Sequence, residues 1–369
     1  MAPVQGKTRV APSARKKRPA RLLLVALLVI VLYFILFPYP LGRELVAVPV
    51  WAASVPPTAS AGAQAGGTYA PFRLGDLFGF VSADGTFLHV EKILYQVALS
   101  RRAFINYSRL GTDWIVRDEN GSRRVSFSGY GYPMLSDDGA RLFVVKSDLS
   151  GLTEMDRGGD PSWSRDFPGM LTSISLQKER LLVGLLNGSL MVLDGKGAPV
   201  FETAPGGSRI PAVFGAALAP DGATLAAVSG IDPQLLTVLR HDGASYTGIA
   251  RSPLGTDFRR EVRMQFSPDS RYLLLEGRNA VGLFDPESRQ LSWTSLQGAL
   301  AGASFPGHGR YAAFASREGN TVHLQCLSPF STPVFRDSFT ARQVFVGDID
   351  GHILLGMDGR LLRIDLESL

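Results

Sequence analysis

The chain has 369 residues, 45% of them hydrophobic and 19% charged, a balance that fits a well-packed globular body and excludes a disordered one. The formal charge of +5 suggests a nucleic-acid partner until it is located. Residues 1–21 hold seven bases and no acid, which leaves 31 basic against 33 acidic residues elsewhere; nucleic acid, which requires a basic face on the domain itself, is excluded.

After the basic tail (1–21, expected in the cytoplasm), residues 22–37 read LLLVALLVIVLYFILF without a polar break. With the residues that follow, this predicts an uncleaved transmembrane signal-anchor over 22–41. The positive charges before it place the rest of the chain outside the cytoplasmic membrane, periplasmic if the host has two membranes. Residues 52–68 (AASVPPTASAGAQAGGT) carry no charge, and 42–73 as a whole reads as a flexible Ala/Pro/Gly/Ser-rich stalk.

From about residue 94 one pattern recurs. Two short apolar strands flank a turn, a third strand tends to end near an acidic residue, and a fourth usually follows. The first pairs include GYPMLSDDGARLFVV (131–145), FGAALAPDGATLAAV (214–228) and VRMQFSPDSRYLLLE (262–276). Taking the turn residues Arg102, Asp138, Lys178, Gly222, Ser270, Gly309 and Gly351 as markers gives gaps of 36 to 48 residues. That period with four strands per repeat predicts an all-β fold, a seven-bladed β-propeller over residues 74–369, preceded by one transmembrane helix. The last repeat lacks a fourth strand. The hairpin LFGFVSADGTFLHVE (77–91) has a spare arm, 86–91, which is expected to fill that place and close the ring.

The second-strand turns FSPDSRYLLLE and LAPDGATLAAV resemble those of WD40-like propellers, and LFDPESRQLSW resembles a quinoprotein-type repeat. The resemblance covers about 280 residues and implies architecture only, since the Gly-His and Trp-Asp pairs of true WD40 repeats are absent.

Chemistry-bearing motifs are sparse. His89, His241, His308, His323 and His352 are scattered, and no zinc spacing, P-loop, nucleotide-binding glycine motif or G-x-S-x-G elbow occurs. The segment GDIDGH (347–352) shares the Asp-Gly turn of Asp221-Gly222 and lacks the further oxygen ligands of a calcium loop. Cys326, the sole cysteine, alternates with Val322 and Leu324 and reads as a buried small hydrophobe. Triplets N-x-S begin at Asn106, Asn120 and Asn187, and strand or turn usage accounts for them. No catalytic residue, cofactor or metal site is expected.

Loops carry function in such a ring. Connections from fourth to first strands and from second to third share one face. That face gathers Tyr130, Arg209, Asp232, Arg251, Phe258, Arg259, Arg260, Arg278 and Arg317. Arginine with aromatics suits an interface, so this face is expected to dock an anionic or carboxylate-bearing protein partner in the cell envelope; a neutral or negative face would remove that idea. The expected function is a non-catalytic protein-binding or scaffolding module, similar to envelope propellers that organise other proteins. The alternatives are a small-ligand sensor, or a quinoprotein-like or lyase-like enzyme with active residues gathered at the propeller axis.

Overall fold

Short apolar strands with polar, glycine-marked turns at every reversal leave each sheet two buried faces, and packing such sheets radially is the way to cover both. In a computed structural model, described for residues 18–36, 45–60, 67–109, 111–329 and 333–368, the strands form eight four-stranded antiparallel sheets. The expected count of seven is therefore corrected to eight.

The extra blade comes from the segment read as stalk and spare hairpin. Strand β1 (Leu45–Ser54) is the outermost strand of the last blade, beside the C-terminal strand Arg360–Ser368. Strands β2 (Ala59–Ser60), β3 (Tyr69–Leu74), β4 (Leu77–Ser82) and β5 (Phe87–Lys92) make blade 1 in the order β2-β5-β4-β3. Arm 86–91 thus pairs with β4 and β2 and not with the last blade. Closure falls to β1 instead, the sheet's outer edge, where a proline such as Pro49 is tolerated.

Blades 2 to 7 follow at residues 96–128, 132–166, 171–203, 210–253, 264–295 and 299–340, and blade 8 combines 344–368 with β1. In blades 2 to 8 the first strand is innermost. We call the face with the first-to-second strand turns the lower face, and the opposite face the upper. Blade 1 is inverted. Its inner strand β3 starts beside the lower ends of its counterparts, since Thr68 and Tyr69 share a cavity with Arg101, His308 and Gly351. The reason is parity: β2 adds one strand between blade 8 and β3, so β3 runs upward.

The core is distributed around the ring. Eight apolar clusters of buried residues each bridge two neighbouring blades, from Phe78, Phe80, Leu88 and Phe104 between blades 1 and 2 to the Phe72, Val90, Leu354 and Leu361 cluster between blades 1 and 8. A fully buried phenylalanine contributes up to about 3 kcal/mol by leaving water, so Phe78, Phe80 and Phe104 make the small cluster between blades 1 and 2 a substantial one. Turn chemistry fixes the lower face. In blades 3 and 6 the hydroxyls of Ser136 and Ser267 donate to Asp138 and Asp269 at 2.6 Å and accept the amides of Arg141 and Tyr272 at 2.8 and 2.9 Å. Gly351, at φ +78°, holds the matching turn of blade 8 in the left-handed region that its lack of a Cβ permits.

The helix α1 (Arg18–Leu36) belongs to a unit separate from Leu45–Glu367. The expected transmembrane span is overturned: no helix among the described residues is long and apolar enough to cross a membrane. The described side chains of α1 run from Leu24 to Tyr33. At 1.5 Å per residue that stretch rises about 15 Å, half of a bilayer's hydrocarbon core of about 30 Å. The single-pass topology and the outward display of the propeller fall with it. The basic tail lies outside the described residues as far as residue 17.

Candidate functional site

The expected site residues all lie on the upper face, where strand ends bring blades 2 to 7 together. Tyr130, in the loop entering blade 3, is 80% exposed, so its ring is held out in water. The arginines are mostly engaged locally. Arg209 Nε lies 3.3 Å from Asp232 Oδ2, with both side chains exposed. Arg278 Nη2 lies 2.5 Å from Asp257 Oδ1. Arg251 donates to the Gly206 carbonyl, and Arg317 Nε to that of Gly319 at 2.8 Å.

Arg260 is the most structured of the set. Its guanidinium grips Glu276 at 2.6 and 3.0 Å and lies over the Phe258 ring, 4.7 Å from its centroid. Hydrogen bonding to the Glu276 carboxylate raises the Arg260 pKa above its ordinary value. The loop carrying Phe258 is pinned by Gln234, whose buried amide accepts from Thr256 Oγ1 at 2.6 Å and donates to the Phe258 carbonyl at 3.0 Å. Arg259 is exposed. The exposed ion pairs each contribute at most about 1 kcal/mol and present charge already balanced by a neighbour.

What the face offers instead is apolar surface. Leu94, Tyr95, Tyr130, Tyr132, Met170, Leu186 and Ile210 are exposed large apolar side chains, and all sit at upper strand ends of blades 2 to 5. Those that the propeller exposes elsewhere among the described residues, Val46, Val50, Val200 and Trp293, lie on the outer strands of blades 8, 4 and 6, away from the upper strand ends. Some of these residues are held together within a blade. Tyr95 meets Tyr107 edge-on at 6.5 Å, and the Tyr107 hydroxyl is pushed up to about 12 by burial, with the Tyr95 and Tyr132 hydroxyls adding to it. The Leu186 amide donates to the Met170 carbonyl at 2.8 Å, joining two of the loops. Sequence reasoning found Tyr130 and missed the other six. The one signal was apolar residues inside connections, as in Ile93-Leu94-Tyr95, and exposure at a loop is decided by packing.

Among the described residues, no group of three or more His, Cys, Asp or Glu side chains converges as a metal site.

A family model described as a beta-propeller protein matches residues 14–369. An uncharacterized protein of Treponema pallidum (strain Nichols) is 21% identical over 368 residues, covering 97% of each chain. Among solved structures, BamB from Moraxella catarrhalis superposes with a TM-score of 0.59 at 15% identity, over 87% of this chain and 100% of that one. A chain of the mitotic checkpoint complex superposes with a TM-score of 0.52 at 12% identity, over 99% of each. Likeness at such identities concerns the fold alone.

Proposed function

The chain belongs to the beta-propeller protein family, and from that premise we propose that it is a non-catalytic protein-docking module that engages its partner through the upper face of blades 2 to 5. One observation carries this reading: the exposed apolar residues of the loops are collected on one face, around Tyr130 and Tyr132. Apolar patches of that kind, ringed by polar groups, mark protein interaction sites, and tyrosine is among the residues that dominate binding energy there. The arginines from Arg209 to Arg317 form the rim on blades 5 to 7. With Arg209, Arg260 and Arg278 paired to carboxylates, this rim sets orientation and contributes less to affinity. Membership of a multi-protein complex by one structural neighbour, the mitotic checkpoint complex chain, is in keeping with this reading.

The test is site-specific photocrosslinking in native cells, with the crosslinker at position 130 and a control at Val200 on an outer strand. A discrete adduct from position 130 alone, abolished by Leu186→Glu and only weakened by joint alanine substitution of Arg251, Arg259 and Arg260, is expected. Adducts from position 200 alone, or adducts indifferent to Leu186→Glu, would exclude this face.

A further inference from the structure

A cavity of about 430 Å³ lies on the propeller axis, opens among the lower-face turns of Arg101, His308 and Gly351, and has no part in the docking reading. Its lining comes from blades 1, 2, 3, 6, 7 and 8, so no single stretch of sequence encodes it. The eight inner strands around the axis are built of apolar and neutral residues with two exceptions. Arg73 on β3 and Asp348 on the inner strand of blade 8 are their charged side chains, and both residues line the cavity.

Strand alternation places Arg73. Phe72 and Leu74 turn to the cluster shared with blade 8, which leaves Arg73 on the other face of β3, beside its cross-strand partner Phe78. Arg73 is exposed although it sits on an innermost strand, and among the described residues its guanidinium makes no ion pair or hydrogen bond. Gln265, on the inner strand of blade 6, also lines the cavity, exposed and with no partner for its amide among the described residues.

The acids nearby do not neutralise Arg73. Asp76 is paired with Lys92 at 3.3 Å, and Asp137 with Arg101 at 3.0 Å. Asp348 accepts the Gly351 amide, and burial raises its carboxyl above the ordinary pKa, toward the uncharged form. Asp350 is exposed at the mouth, on the turn where a Cβ at Gly351 would lie 2.9 Å from His308 Nε2. An unpaired guanidinium in a concave site draws an anion, and its planar fork fits a carboxylate. A phosphate dianion would meet too little positive charge in a lining that also holds Asp137 and Asp350, whereas Arg73 alone balances a monocarboxylate. Pro71, Leu99 and Phe345 supply apolar wall for a short aliphatic body.

We propose that the axial cavity binds a small organic carboxylate, held by the Arg73 guanidinium, with Gln265 as a neutral hydrogen-bonding group and the aliphatic body against Pro71, Leu99 and Phe345. A free carboxylate and a glutamate side chain of a protein partner share this chemistry, so both belong in the test.

The experiment is a ligand-observed NMR titration of the full-length protein with pentanoate, with pentanamide as the neutral counterpart, and with an acetylated, amidated pentapeptide carrying one central glutamate between glycines. Saturable binding of pentanoate, absent for pentanamide and weakened about tenfold or more by Arg73→Gln, is expected, the scale of a lost charge-assisted hydrogen bond. Arg259→Gln, on the upper face, should leave it unchanged. Binding of the peptide alone with the same dependence on Arg73 assigns the carboxylate to a partner protein. Thermal melting separates a ligand group from a structural one: without ligand, Arg73→Gln should melt with the parent, because Arg73 has no partner to lose among the described residues. No saturable binding of either carboxylate probe, equal binding of pentanamide, equal affinity in Arg73→Gln, an equal loss in Arg259→Gln, or a lowered melting temperature in Arg73→Gln would each overturn the proposal.

Discussion

The indole N–H of Trp51 donates to the carbonyl of Ala83 at 2.8 Å, and the same oxygen accepts Arg363 Nη1 at 3.1 Å. Trp51 lies on β1, the outer strand of blade 8, and Ala83 in the turn between β4 and β5 of blade 1. The two ends of the propeller are therefore tied at one carbonyl, with the Trp51 ring lying close against Gly85 of that turn. Substituting Trp51 by alanine removes a half-buried aromatic and one hydrogen bond. A loss of about 2 kcal/mol is expected in urea denaturation. Trp51→Phe should lose about half of that, since the ring contact remains.

Arg141 and Glu154 form a two-pronged ion pair at 2.7 Å in both contacts, with side chains 17% and 12% exposed. Trp163 Nε1 adds a third donor to the carboxylate at 2.6 Å. Arg141→Ala strands a shielded carboxylate and should destabilise by about 3 kcal/mol, measured by chemical denaturation. The double variant Arg141→Met with Glu154→Leu should recover most of that loss, because replacing both charges leaves nothing unpaired.

The Ser136 hydroxyl, and then the Ala140 amide, hold the Asp138 carboxyl below its ordinary value of 3.8. A lowered folded pKa means stability that is present above the unfolded value and is lost as pH falls through the folded one. Asp138→Asn should therefore cost about 1 kcal/mol near neutral pH, by loss of charge-assisted hydrogen bonds. The gap between parent and variant should close as the pH of the melt is lowered below about 4. A gap independent of pH would show that the carboxylate charge is not the stabilising feature.

Cys326 sits in the third strand of blade 7, fully buried between Ala313 and Phe335, and burial pushes its thiol up to about 12. At a pH of about 8 the thiol stays protonated and unreachable. A thiol-reactive chromogen should give no signal with the folded protein and one equivalent in denaturant.

The blades from residue 96 onward were legible because each is a local meander: strand, turn and strand lie within a few tens of residues, and alternation with Asp-Gly and Ser-x-Asp turns marks them directly. The upper-face position of Tyr130 and the arginines followed from the same alternation. That those arginines spend their charge on Asp232, Asp257 and Glu276 did not, because such pairings depend on loop conformation. The apolar patch from Leu94 to Ile210 was illegible for a related reason: a leucine in a connection is exposed or buried according to what packs over it.

By itself, the sequence determined an all-β propeller of four-stranded blades, its turn positions and the burial of Cys326, all properties of short-range pattern. Only the tertiary structure decided that there are eight blades, that β1 closes the ring and that blade 1 is inverted. The physical reason is the range of the interactions. β1 reads as linker because an edge strand tolerates proline and alanine, and it becomes a strand when the C-terminal strand Arg360–Ser368, some three hundred residues away, supplies its hydrogen-bond partners.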